Sequence, residues 1–188
     1  LVFLSESRVT AYLDPKDRRE TVIAPLTLTQ RVGNLAGLRG GRSFQVRDLV
    51  RFLRFEVEGG DQYLPKFSKL DFSRKSTGRQ ESSVARESFG KSVEMEVQGV
   101  QDMPEFLVLS APVFNESGAS FARMEVRAGV IIDHENQAVV LRLYADSFED
   151  GMRAALKEVA GSMNASLADA GTVYLARADV DPMHSSAE

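Results

Sequence analysis

Arg47, Arg51 and Arg54 recur four and three residues apart, so on a helix they share one face. Val46, Leu49, Val50 and Leu53 recur at helical spacing on another face, and that period predicts the helix. Ser43 is expected to cap it. Guanidinium groups held this way are good phosphate ligands because their donors fork. Arg39 and Arg42 precede the helix, where free backbone amides also favour anions. Lys69, Arg74, Lys75 and Arg79 follow. The candidate polyanion-binding residues are therefore Arg39, Arg42, Arg47, Arg51, Arg54, Arg74, Lys75 and Arg79. The alternative for the same side chains is a solvated arginine face.

Charge segregation supports the first of these. The net charge of the 188 residues is −4, but it is unevenly spread. Arg31–Arg86 holds 12 Lys/Arg against 6 Asp/Glu, whereas Glu87–Glu188 holds 7 against 17. A basic segment inside an acidic protein implies either an anionic partner or attraction between the two halves, within one copy or between copies.

Other chemistries lack their residues. There is no cysteine, which excludes thiolate zinc, iron–sulfur and cysteine-nucleophile sites. Ala36–Ser43 (AGLRGGRS) approaches a phosphate loop, but Ala36 replaces the first glycine and Arg42 the lysine. The aspartate in VIIDHE that would hold magnesium falls in an apparent antiparallel hairpin rather than on a parallel strand. His134 and His184 are the only histidines. Asp133-His134-Glu135 reads as a polar hairpin tip, since adjacent residues on a turn point apart, and no G-x-S-x-G elbow exists. No cofactor and no metal site is expected, and an enzyme is the less favoured class.

These residues need elements to hold them. Leu1–Leu4 and Arg8–Leu13 read as two strands, followed by turn chemistry at Asp14-Pro15-Lys16-Asp17. Thr21–Gln30 is rich in β-branched residues and reads as a strand, with Pro25 pointing to an edge or bulge. Four glycines between Gly33 and Gly41 read as a loop. Beyond the arginine helix, Tyr63–Phe72 reads as a second, shorter helix with Pro65 in its first turn, and Ser73–Ser83 has no apolar residue and reads as a mobile loop. Period-two patterns then predict strands around Val93–Val97, Phe106–Phe114, Phe121–Ile132 (with a bulge at Gly129) and Ala138–Tyr144, joined as an antiparallel meander. Phe148, Met152, Ala155, Leu156, Val159 and Met163 form the stripe of a long helix capped by Ser147, with Asp150 completing an approximate capping box. Thr172–Ala176 reads as a last strand returning to a sheet edge.

MPEFLVLSAPVF, FARMEVRAGVI and AVVLRLYADSFEDGMRAALKEV, taken in that order, resemble the YfdQ-like family carried by phages and prophages, a domain family of unknown function. The likeness extends to Thr10–Thr29, the Val46–Arg54 helix and the polar Phe72–Ser83 segment. It supplies order and spacing but no catalytic motif. It implies a bacterial or phage protein of the cytoplasm, with a further N-terminal part before the segment resembling Leu1–Leu13. The chain opens at Leu1 without methionine, and LVFLSESRV lacks the basic leader of a signal peptide.

The expectation is one α+β domain: residues 1–72 as N-terminal strands and basic helix, 73–90 as a polar mobile connection, 91–180 as meander, helix and strand, and 181–188 as a tail. Hydrophobic residues at 43% and charged residues at 27% suit a folded chain, and no apolar run approaches the roughly 18 residues of a membrane helix. Two functions follow. One is a phage-type accessory protein that binds nucleic acid through the basic helix. The other is a protein-interaction or homo-oligomeric module that engages a host or phage protein.

Overall fold

The computed structural model describes residues 1–13, 21–76, 93–98, 100–117 and 119–175. Ser5 turns the chain back on itself: its hydroxyl donates to the Arg8 carbonyl (3.1 Å) and accepts from the Arg8 amide (3.3 Å). The strands on either side, β1 (Val2–Leu4) and β2 (Arg8–Tyr12), pair antiparallel, and β3 (Thr21–Pro25) pairs antiparallel with β2. Pro25 lacks an amide hydrogen and lies on an edge strand, as its chemistry requires.

Helix α1 (Gln30–Ala36) takes the first part of the glycine-rich loop expected over Gly33–Gly41, and Gly37–Gly41 remain turn and loop. Thr29 caps α1, accepting from the Val32 amide, and Val32 and Leu35 bury one side. Glycine lowers helix propensity by only about 1 kcal/mol, which a cap and two core contacts outweigh. Strand β4 (Arg42–Phe44) follows, so Ser43 is a strand residue and not a cap. Helix α2 (Val46–Arg51) starts from Gln45 with no side-chain cap. It runs on into a π-turn, Phe52–Glu56.

The expected second helix shrinks to α3 (Leu64–Phe67), with Pro65 in its first turn. Asp71 and Phe72 already belong to β5 (Asp71–Ser76), which pairs antiparallel with β6 (Val93–Gln98). Both strands were placed otherwise by the sequence: β6 in the meander, Ser73–Ser76 in a polar loop. Alternation identifies β6 as a strand but does not choose its neighbour.

The main sheet has the order β4-β9-β8-β7, where β7 is Phe106–Pro112, β8 Arg123–Asp133 and β9 Ala138–Leu143. The meander is therefore these last three strands, extended at its edge by β4. The register runs through Gly129 without a bulge; the space beside it holds the Tyr144 ring instead.

Helix α4 (Ser147–Leu167) is the predicted long helix. Its N-cap is Asp146, at φ 64°, and Ser147 is its first residue. The Ser147 hydroxyl accepts from the Arg127 amide at 2.7 Å instead of capping. Phe148, Met152, Ala155, Leu156 and Val159 are buried in the core with the main sheet and with Val2, Leu4 and Val173. Asn164 accepts from the Val173 amide at 2.7 Å, and β10 (Val173–Leu175) then pairs parallel with β1 at the sheet edge. The protein is of the α+β class. No helix among the described residues is long and apolar enough to cross a membrane.

Candidate polyanion-binding face

Helix α2 is fixed from below. Leu49, Phe52 and Leu53 are each at most 1% exposed, and Phe52 packs against Phe44 with the rings tilted 45° and centroids 4.9 Å apart. Phe52 and Leu53 open the π-turn as core residues, Arg54 and Phe55 then point out, and Val57 returns to the core. The end of the turn is braced on three sides. Asn34 of α1 donates to the Glu56 carbonyl at 3.2 Å. Glu58 exchanges backbone hydrogen bonds with Ser110 of β7 at 2.9 and 3.0 Å. The Glu58 carboxylate takes Arg31 at 2.5 Å and also pairs with Arg123. Gly60 lies so close to Leu53 that a Cβ there would meet the Leu53 carbonyl.

The exposed side of this rigid element carries Arg47, Arg51, Arg54 and Phe55. Among the described residues, neither Arg47 nor Arg51 makes a hydrogen bond or an ion pair with a carboxylate. Arg54 lies 6.0 Å from the Phe55 ring centroid, and Phe55 is 65% exposed. Asp48 is the one acidic side chain in the first turn.

The other predicted residues are distributed. Arg42 sits on the inward side of β4, paired with Leu141, and its guanidinium caps the core rim over Phe44 (4.7 Å) and Phe52 (5.5 Å). Arg39, in the α1–β4 connection, is drawn to α4: it bonds Glu149 at 2.7 Å and lies 4.0 Å over the Phe148 ring. Arg74 and Lys75 stand on β5, opposite Met95 and Glu94. Arg79 lies outside the described residues. Phe55 was not singled out by the sequence. The signal was present in the spacing: at about 100° per residue Phe55 lies roughly 200° round from Leu53, on the side away from the Val46–Leu53 apolar stripe.

A concavity of about 530 Å³ opens elsewhere, on the outer side of β8 between Arg123, Glu125, Arg127, Tyr144, Ser147 and Asp150. Its charges are balanced in sign, and Arg127 stacks on Phe106 at 5.7 Å. The Asp133–Glu135 segment is a hairpin tip. Asp133 accepts from the Asn136 side chain (2.8 Å) and amide (3.0 Å), and these bonds hold its carboxyl below the usual range. No group of three or more His, Asp or Glu that could hold a metal ion exists among the described residues. The Ala36–Ser43 segment leads from a helix into a strand, the reverse of a phosphate loop. No protein-family model, curated protein or solved structure matches the chain.

Proposed function

We propose that this chain is a nucleic-acid-binding accessory protein of the phage or prophage kind that its resemblance implies, with the exposed side of α2 and its π-turn as the binding face. One observation carries the reading: Arg47 and Arg51 project from the exposed side of a helix anchored in the core by Leu49, with no carboxylate partner among the described residues, in a chain whose net charge is −4. A preformed backbone removes the ordering cost of the chain, and the free guanidinium groups, which lose about 0.5–1.5 kcal/mol of rotamer entropy each, have no carboxylate to give up when they meet phosphates. Arg54 extends the face, whereas Arg42 is turned over Phe44 and Phe52 at the core rim. Arg39 is already engaged by Glu149, and Arg74, Lys75 and Arg79 enter through sequence charge alone.

The test is fluorescence anisotropy with a labelled oligonucleotide over a salt series. Three to five phosphate contacts give a log–log slope of roughly −2 to −4 on single strands. Replacing Arg47, Arg51 and Arg54 together by glutamine flattens the slope while far-UV circular dichroism stays unchanged. Absence of binding at low salt favours the second reading, a protein-interaction or homo-oligomeric module. That alternative draws support from Phe106, Ile131 and Tyr144, which are 41%, 50% and 48% exposed on the outer face of the main sheet.

A further inference from the structure

We infer that Phe55 is a base-stacking platform and that the ligand of this face is single-stranded nucleic acid rather than duplex or a base-free polyanion. The inference rests on the proposed polyanion-binding reading and adds the ligand class.

Three observations carry it. First, Phe55 is the most exposed aromatic side chain among the described residues, at 65%, yet it sits on one of the best-buttressed elements of the molecule. An exposed phenylalanine on a mobile segment would be unremarkable; one held out by a π-turn between buried Leu53 and Val57 is presented. Second, its setting is cationic. Arg54 lies 6.0 Å from the ring centroid and Arg51 is one helical turn before it. A cation beside an aromatic face is the pairing that binds a phosphate and a base together. Third, Arg47, Arg51 and Phe55 step four residues at a time along one side. At about 1.5 Å rise per residue they span roughly 12 Å, the reach of about two nucleotides of an extended strand. In duplex DNA the bases are stacked on each other and closed to such a ring, so only a single strand uses all three groups.

The sequence contains no tryptophan, so Phe55→Trp installs a sole reporter at the site. Its solvent exposure makes both this variant and Phe55→Ala compatible with the native fold. A labelled oligothymidylate of about 12 nucleotides, a duplex of the same length and heparin are titrated at low salt, reading tryptophan emission and anisotropy. The expected result is quenching of Trp emission by the single strand alone. Phe55→Ala weakens single-strand binding by about 5- to 150-fold and leaves the salt slope as in the parent. Oligothymidylate binding without quenching, with Phe55→Ala as tight as the parent, overturns the stacking role and leaves the polyanion reading standing. Equal affinity for heparin, duplex and single strand also overturns it. No binding of any of the three overturns both.

Discussion

Glu116 joins two segments 89 residues apart, its Oε1 accepting from the Thr27 amide at 2.9 Å. That bond is the main reason its carboxyl titrates below the usual range; partial burial opposes it and loses. Its Oε2 is covered and finds no hydrogen-bond partner among the described residues. The contact helps hold Leu26–Thr29 along Val113–Glu116, and so fixes Thr29, the cap of α1. A carboxyl whose pKa is depressed by folding stabilises the native state above its unfolded-state pKa, and that stabilisation disappears as pH falls through the folded-state pKa. Glu116→Gln is therefore expected to be less stable than the parent at pH 7, with the difference closing in acid. Urea unfolding at pH 7 and near pH 3 checks this, and a pH-independent difference would contradict it. The role is not legible in the sequence, because nothing local to Glu116 points to a partner so far away. Single residues were most legible where chemistry is local. Pro25 at an edge, Pro65 in a first turn and the Asp133–Glu135 tip all follow from their own backbone preferences. The two serine caps did not, because Ser43 is taken up by β4 and Ser147 by Arg127.

At the scale of elements, α4 was legible because its apolar stripe extends over four turns, longer than any competing pattern. The π-turn was not, because it changes the helical phase by its own geometry and leaves no compositional mark. Phe55 does not belong to that failure: α-helical phasing already sets it roughly 200° round from Leu53, away from the apolar stripe. What keeps the turn in place is room at Gly60, whose φ of −73° any residue could adopt but whose Cβ would collide with the Leu53 carbonyl. Gly60→Ala is expected to destabilise the fold by about 1–3 kcal/mol, the usual cost of overpacking. It should also weaken oligonucleotide binding by displacing Arg54 and Phe55. Gly40→Ala is the control: a Cβ there meets nothing within 4 Å and the backbone is not left-handed. It should be neutral or slightly stabilising through the unfolded chain. Chemical denaturation of both variants distinguishes a specific close approach from a general sensitivity of glycines.

For the whole molecule, the question is whether the two four-stranded sheets are one folding unit. They share no strand. Yet Val2, Leu4 and Val173 of one sheet belong to the same buried cluster as Leu107, Val126 and Leu141 of the other, and α4 supplies Met152, Leu156 and Val159 to that cluster. Asn164 also ties the end of α4 to the start of β10. Burial shared through one helix means that neither sheet keeps its cover if α4 detaches, so both should be lost together. Met152 is 2% exposed; truncating it leaves a cavity, and Met152→Ala is expected to cost about 2–5 kcal/mol. In a chain of this size each kcal/mol lowers Tm by about 2–4 °C, so the variant should melt well below the parent. It should still melt in one step. Amide hydrogen exchange separates the possibilities, since it reports β1–β3 and β7–β9 individually. Equal loss of protection in both sheets on Met152→Ala is the expected result, whereas protection lost from β7–β9 while β1–β3 and β10 keep theirs would show two units joined only by α4.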